Sequence, residues 1–150
     1  MTKIALQCGQ IWRDDCYYLN QETNACERKY VLILAVNEKG DDAVTAVFTT
    51  KPNGLTVSPA CSLGEPRAGY FVGIPGGSLP QESWVEFNSV RILDSYDLSL
   101  HVKAGRTSLI GQTLPISTLC SVLRCASQCE DISFRALRYI GDAIASLGCS

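Results

Sequence analysis

The chain has 150 residues, 46% of them hydrophobic, so it is of single-domain size and can bury a substantial core. Thirteen basic and fifteen acidic residues give a net charge of −2, which excludes a global positive field that would gather nucleic acid. Any site for a polyanion must therefore be local. The N-terminal stretch lacks the pattern of a secretion signal, and no apolar run approaches the ~18–20 residues that cross a bilayer. We therefore expect a soluble, cytoplasmic protein without a membrane partner.

The first predicted elements are strands arranged around a hairpin. Residues 9–19 predict a first hairpin or a bent strand, and the polar residues 20–27 predict a surface loop. Residues 31–36 contain no polar side chain, so we expect a strand covered on both faces. The polar turn at 37–42 and the apolar run at 43–49 complete a central hairpin, from which the rest of the fold grows.

Further short strands are predicted beyond this hairpin. The Pro-Asn-Gly at 52–54 is a strong turn, and residues 59–66 show no periodicity, which is typical of a loop. Strands are predicted at 68–74, 83–88 and 89–94. Many short strands with frequent turns favour a small barrel or sandwich.

Trp84 is the one large aromatic residue with a predicted outward orientation. The alternation of apolar and polar residues turns Trp84 toward solvent if Val85 and Phe87 face the core. An exposed Trp84 could anchor a partner, although single exposed aromatic residues are common.

The last third of the chain changes to helical periodicity. A short helix is predicted to begin near Ser117, which would cap it, and to end near residue 125. A second helix is predicted over 133–147, with Asp131 or Ser133 as its cap and Gly148 as its stop. Both helices need a sheet to bury their apolar faces, so sheet and helices form one domain.

The cysteines have no spacing that predicts a shared site. Without a secretion signal we expect them to be reduced. There is no Cys-x2-Cys pair, and His101 is far from the tightest group, so neither a zinc site nor another cofactor is predicted. Small apolar core and loop positions are the favoured interpretation, with a metal or redox role as the alternative. The eight cysteines are Cys8, Cys16, Cys26, Cys61, Cys120, Cys125, Cys129 and Cys149.

Several common catalytic patterns are weak or missing. A Ser/His/Asp hydrolase would have only His101 as its base, and that stretch has no nucleophile elbow. The glycine-rich residues 73–77 lead into another strand instead of a helix N-terminus, so they predict a turn and not a phosphate-binding loop. The acidic pairs at 14–15 and 41–42 are interpreted as solvated turn residues.

The two ends of the central hairpin carry the best candidate site. In an antiparallel hairpin the start of one strand lies beside the end of its partner, so these two ends should be neighbours. A cation and a hydroxyl group there can bind a phosphodiester and stabilise its developing charge during attack by the ribose hydroxyl, without a metal. Otherwise these are solvated residues and ordinary strand formers. The candidates are Arg28, Lys29, Thr49, Thr50 and an acid from the preceding loop, Glu22 or Glu27.

Several short motifs follow one another along the chain: Gly9-x-Ile11-Trp12, a charged loop, Arg28-Lys29-Tyr30-Val31-Leu32-Ile33-Leu34, Thr49-Thr50-Lys51, Val90-Arg91-Ile92-Leu93-Asp94, Ile110-Gly111 and the C-terminal helices. This order resembles the MazF/PemK-like toxin family. This resemblance implies an α+β, mainly β protein: a small SH3-like antiparallel barrel over about residues 4–113, with two C-terminal helices over about 114–148. It also implies a homodimer and a sequence-selective, metal-independent endoribonuclease of a toxin–antitoxin system.

In that family an arginine at the start of a strand and a threonine closing the next strand carry the chemistry. By resemblance these roles fall on Arg28 or Lys29 and on Thr50 or Thr49. Single-stranded RNA is the implied substrate and an antitoxin encoded elsewhere the implied partner, and no DNA binding is expected. The additional basic residues that would bind RNA are Lys51, Arg67, His101, Lys103 and Arg106.

Two alternatives stay open, one from a departure at this motif and one from analogy with the related barrel fold. The family usually has Arg-Pro at the start of the strand, whereas this chain has Arg28-Lys29, and keeping the apolar run in phase puts Lys29 at the arginine position. Lysine binds phosphate without the bidentate fork of arginine. The first alternative is therefore a barrel of the same ancestry that binds a protein or a small ligand without catalysis. The second is a toxin acting on a protein target such as gyrase.

Overall fold

The described residues form seven strands and three helices. The computed structural model describes residues 5–64 and 67–149. None of the helices in these residues is long and apolar enough to cross a membrane. The elements are β1 (Gln10–Asn20), β2 (Ala25–Val36), β3 (Asp42–Thr49), β4 (Cys61–Leu63), β5 (Ala68–Gly73), β6 (Ser83–Asp94), α1 (Ser95–Lys103), β7 (Thr107–Thr113), α2 (Ile116–Ala126) and α3 (Phe134–Leu147).

All seven strands belong to one antiparallel sheet. The strand order is β4-β5-β6-β3-β2-β1-β7, with β4 and β7 at the two open edges of the described sheet. The predicted α+β, mainly β class is confirmed. Closure of the strands into an SH3-like barrel stays a prediction, because the hydrogen-bonded order given by the described residues is that of an open sheet.

The predicted central hairpin is confirmed as β2 and β3, with Val31 opposite Val47. The side chain of Asn37 closes its turn, since its carbonyl oxygen accepts hydrogen bonds from the backbone N–H groups of Asp41 (2.8 Å) and Asp42 (3.2 Å). An Asn side chain suits this role because it can replace backbone carbonyl groups in a tight turn.

Both faces of the central strand are covered, as its apolar run predicts. Leu32 and Leu34 belong to a large core that also contains the buried residues of α2 and α3. Val31 and Ile33 alternate with them and belong to a second core, to which α1 contributes Leu98. The sheet is therefore a central layer with helices on both sides.

The two predicted C-terminal helices are confirmed as α2 and α3. The Ser133 hydroxyl accepts a hydrogen bond from the backbone N–H of Ala136 (3.2 Å), and Gly148 ends α3 with φ of 70°. That positive φ suits glycine because glycine lacks a Cβ. Ser117 was the wrong cap: Pro115 holds the N-cap position of α2, without a side-chain hydrogen bond.

Three other local predictions are corrected. Residues 20–27 are not all loop, because β1 and β2 extend into them and leave a four-residue turn at 21–24. The segment 59–66 contains the short edge strand β4, which is too short to show periodicity. Residues 83–88 and 89–94 form one long strand, β6, instead of two.

Trp84 is buried, at 5% exposure, so its predicted outward orientation is wrong. Its ring lies 5.1 Å from the ring of Phe71, centroid to centroid, and its indole N–H donates to the Thr56 carbonyl (3.0 Å). Alternation along β6 holds, but both faces of the strand are covered at this position. Trp84 is therefore a core residue and not an anchor for a partner.

The expectation of reduced cysteines is also wrong. Three disulfides join Cys16 to Cys26, Cys61 to Cys125 and Cys120 to Cys149. Only Cys8 and Cys129 carry free thiols. The sheet and the helix packing bring together cysteines up to 64 positions apart, and spacing along the chain does not reveal such pairs.

The acidic pair at 14–15 is likewise not a solvated turn. Both residues lie in β1, and Asp14 is 4% exposed. Its carboxylate receives two hydrogen bonds from Arg106, from Nε (3.0 Å) and from Nη2 (3.2 Å). These two hydrogen bonds from the Arg106 guanidinium offset the desolvation cost of the buried Asp14 carboxylate, and they connect β1 to the residue that precedes β7.

Candidate functional site

A cleft of about 480 Å³ lies at the end of the central hairpin where β2 begins and β3 stops. Its size is that of ordinary small-ligand sites. The predicted residues Arg28, Lys29, Thr49 and Thr50 all line it. The two strand ends are therefore neighbours, as the antiparallel hairpin predicts.

The register of the hairpin decides which of these residues face each other. The β2–β3 ladder ends with Val31 opposite Val47. Continuing that register by three residues places Arg28 opposite Thr50. Alternation puts both on the face of the sheet that carries Tyr30, which packs against the large core.

Thr49 and Thr50 differ in what their hydroxyl groups do. Thr49 is 7% exposed, and its hydroxyl accepts from the backbone N–H of Lys51 (3.1 Å) and lies 3.3 Å from the Lys51 carbonyl oxygen. It holds the chain as it leaves β3. Thr50 is exposed, and its hydroxyl makes no hydrogen bond to any described residue. Thr50 is therefore the threonine that is available to a ligand.

The charges around the cleft are opposite in sign to the charge of the whole chain. Its lining includes three cationic side chains, from Arg28, Lys29 and Lys51, and one carboxylate, from Glu27, so its formal charge is +2. The chain as a whole carries −2. The local positive field that composition could not reveal is thus present at one end of the sheet.

Glu27 and Glu22, the two candidate acids, are separated by the structure. Glu27 lines the cleft and accepts a hydrogen bond from the Asn20 side-chain amide (3.1 Å). Glu22 lies exposed in the turn before β2, and it is not among the residues that line the cleft. Only Glu27 is placed to act on a ligand there.

The opposite wall of the cleft comes from a loop that sequence reasoning missed. Ser78, Pro80 and Gln81 line it from the connection between β5 and β6. The Gln112 side chain on β7 fixes this loop by donating to the Gly76 carbonyl (2.8 Å) and accepting from the Ser78 N–H (3.3 Å). The only sequence signal was a run of turn residues, which predicts a turn without saying what it faces.

The remaining basic candidates do not line the cleft. Arg106 is paired with buried Asp14, and the His101 ring nitrogen Nε2 lies 3.4 Å from Arg106 Nη1. Lys103 ends α1, on the side of the sheet away from α2 and α3. Arg67 pairs with Glu86 (3.4 Å). Of the basic residues predicted to bind RNA, only Arg28, Lys29 and Lys51 line the cleft.

A second groove, of about 690 Å³, runs between the β2–β3 turn and α3. Glu38 and Asp142 balance Lys39 and Arg138 there, so it has no net preference for an anion. Cys8 is one of the residues that line this groove; burial raises the pKa of its thiol, and backbone hydrogen bonds partly offset this rise. A neutral thiol is a poor nucleophile and metal ligand.

Neither a protein-family model nor a curated protein sequence matches this chain. Among the described residues, no three His, Cys, Asp or Glu side chains are grouped as metal ligands would be. Function is therefore inferred from the cationic cleft and the side chains that line it.

Proposed function

We propose that this chain is a MazF/PemK-like endoribonuclease that binds single-stranded RNA in the cleft and cleaves it without a metal ion. The observation that best supports this proposal is that Arg28 and Thr50 both line one cleft at the end of the central hairpin, and that the lining of this cleft has a formal charge of +2. A phosphodiester requires cationic donors, and Arg28 offers the planar fork that Lys29 lacks.

The neutral side chains of the cleft favour a single strand of nucleic acid over a free phosphate. Tyr18, which is 49% exposed, and Tyr30 offer aromatic rings on which unpaired bases can stack. Asn20 and Gln81 add amide groups that can donate to and accept from base edges. Aromatic rings interleaved with cations are typical of surfaces that bind single strands.

The proposed reaction is an internal transesterification. The Glu27 carboxylate takes the proton of the ribose 2′-hydroxyl, and the 2′-oxygen forms a bond to phosphorus. Arg28 and the Thr50 hydroxyl stabilise the charge on the phosphoryl oxygens. The bond from phosphorus to the 5′-oxygen breaks, and that oxygen takes a proton from the ammonium group of Lys29 or Lys51. The products are a 2′,3′-cyclic phosphate and a 5′-hydroxyl end.

The test is incubation of the purified chain with mixed single-stranded RNA in the presence of a chelator. Arg28→Ala and Thr50→Val each remove one proposed contact, and Arg28→Ala is expected to slow cleavage by about a hundredfold or more. Arg138→Ala and Thr113→Val are matched controls, because both residues are exposed and neither lines the cleft. Mapping of the cut ends checks for the cyclic phosphate.

The possible results separate the functions. Chelator-resistant cleavage that leaves cyclic phosphates and is lost in the two cleft variants supports the proposal. Binding of RNA without cleavage at any protein concentration would favour a binding module that has lost catalysis. Absence of both would refute the RNA proposal, and inhibition of a topoisomerase in vitro would then point to a protein target.

The family resemblance adds two further proposals, a homodimer and a cognate antitoxin. An antitoxin that blocks this site would have to be acidic or to carry another anion, because the cleft is cationic. Light scattering measures the mass of the purified chain and tests the dimer.

A cytoplasmic location stays a prediction, and the number of free thiols bears on it, because disulfides persist mainly in oxidising compartments.

A further inference from the structure

A bulge in β1 faces the cationic strand end of the cleft. Asp14 pairs with Lys29 and Tyr18 pairs with Glu27, so the three residues 15–17 stand opposite the single residue Arg28. A bulge of this kind bends the strand and redirects its side chains, and bulges often lie beside functional sites.

The bulge brings the Asp15 carboxylate to Arg28. Asp15 Oδ1 lies 3.0 Å from Arg28 Nε and also 3.0 Å from Arg13 Nε. Arg28 makes no other hydrogen bond or ion pair with the described residues. Its Nη1 and Nη2 groups therefore remain available, and these are the donors that form a fork with a phosphate.

Two further contacts fix the bulge in this shape. The backbone N–H of Asp15 donates to the Arg106 carbonyl (2.9 Å), and that of Cys16 donates to Asp14 Oδ1 (3.0 Å). The Cys16–Cys26 disulfide then joins the bulge to β2 two residues before Arg28. Asp15 therefore has a defined position, although its own side chain is partly exposed.

The ion pair between Asp15 and Arg28 contributes little to the stability of the fold, so stability does not explain why the two side chains meet. The Arg28 side chain is 57% exposed and that of Asp15 34% exposed, and ion pairs this open to solvent contribute little to stability. A carboxylate that holds only the Nε edge of an arginine does, however, fix the plane of the guanidinium group. This restricts a flexible side chain before a ligand arrives.

We propose that Asp15 is a positioning residue that orients Arg28 so that its two Nη groups face a phosphate of single-stranded RNA in the cleft. This inference rests on the proposed function, because it needs the cleft to bind RNA. Asp15 touches neither the RNA nor the reacting atoms in this proposal, and acts only through Arg28.

The test is a double-mutant cycle on RNA binding. Fluorescence anisotropy with a 2′-O-methyl single-stranded RNA, which cannot be cleaved, gives the dissociation constants of wild type, Asp15→Asn, Arg28→Ala and the double variant. Asp15→Asn is expected to weaken binding by roughly fivefold to tenfold, as for residues coupled in one network. In the Arg28→Ala background the same change should have no effect.

A second measurement reads the orientation of Arg28 directly. In ¹⁵N relaxation experiments, the Arg28 Nε–H should be ordered in the wild type and mobile in Asp15→Asn, with Tm and circular dichroism confirming that both chains are folded. Asp97→Asn, an equal charge change at an exposed position on α1, is the control and should change neither readout.

The outcomes separate the two proposals. Wild-type binding with equal effects of Asp15→Asn in both backgrounds, or with none, would overturn the positioning role and leave the proposed function intact. Failure of the wild type to bind RNA would overturn the proposed function and the role of Asp15 together. Tight binding by Asp15→Asn would show that Asp15 competes with RNA for Arg28, which also overturns the inference.

Discussion

Removal of the Cys61–Cys125 disulfide should cause the largest loss of stability among the three cross-links. This bridge joins residues 64 positions apart, whereas Cys16–Cys26 spans only 10 positions. In the chain-entropy description, the longer loop corresponds to about 4 kcal/mol of stabilisation and the shorter loop to about 3 kcal/mol. The Cys61→Ala/Cys125→Ala double variant is therefore expected to lose about 4 kcal/mol of unfolding free energy.

Urea unfolding followed by circular dichroism measures this loss. The Cys16→Ala/Cys26→Ala variant provides the comparison between loop lengths, and Cys8→Ala controls for removal of a thiol that is not cross-linked. Alkylation of the unfolded, unreduced wild type should modify two of its eight cysteines.

Eight modified cysteines would refute the disulfide pairing and support a reducing compartment. An unchanged unfolding midpoint in the Cys61→Ala/Cys125→Ala variant would refute the entropic reasoning even if the bridge exists. Equal losses for the long and the short loop would show that strain or residual structure in the unfolded chain outweighs loop length.

Three other sets of variants test the packing of the core and the titration of the Cys8 thiol, and urea unfolding measures the stability of each. Trp84→Phe should cost about 1 kcal/mol, because it removes the hydrogen bond to the Thr56 carbonyl (3.0 Å). Gly69→Ala should cost about 1–3 kcal/mol, since its Cβ would lie 2.6 Å from a carbonyl oxygen of β6, whereas Gly141→Ala meets no atom within 4 Å and should be neutral or stabilising. Burial raises the pKa of the Cys8 thiol in the folded protein above its value in the unfolded chain. The contribution of the neutral thiol to stability is therefore fully present below the unfolded-state pKa and is lost as the pH rises through the folded-state pKa. The wild type should lose more unfolding free energy in alkali than Cys8→Ala.

The central hairpin and the C-terminal helices were predictable because their signals are local. An apolar run on each side of an Asn-containing turn specifies a hairpin, and Ser133 with Gly148 marks the two ends of a helix. Helix α1 was missed because its residues show little amphipathic pattern. Asp94 was the one available signal, since its side chain caps α1 by accepting from the Tyr96 N–H (2.6 Å).

In the candidate site, too, the residues placed by local pairing were predictable and those placed by long-range contacts were not. That Arg28 and Thr50 line one cleft was predictable from the antiparallel hairpin alone, because the start of one strand lies beside the end of its partner. Gln81 lines the same cleft from a different loop, and Asp15 contacts Arg28 from a different strand; no periodic pattern marks either residue. Even a correct prediction of β1 would not have placed Asp15 beside Arg28, because regular alternation of side chains along a strand gives no indication of a bulge.

The bulge therefore makes a contribution to the candidate site that a regular strand would not make. A regular strand would place one residue opposite Arg28, and the extra residues are what bring a carboxylate to its Nε edge. Without Asp15, Arg28 would be a long, exposed side chain, and any ligand that it binds would have to order it at a cost in conformational entropy. The bulge would in this way limit the conformations of Arg28 before any ligand binds, which is what the double-mutant cycle on Asp15 and Arg28 tests.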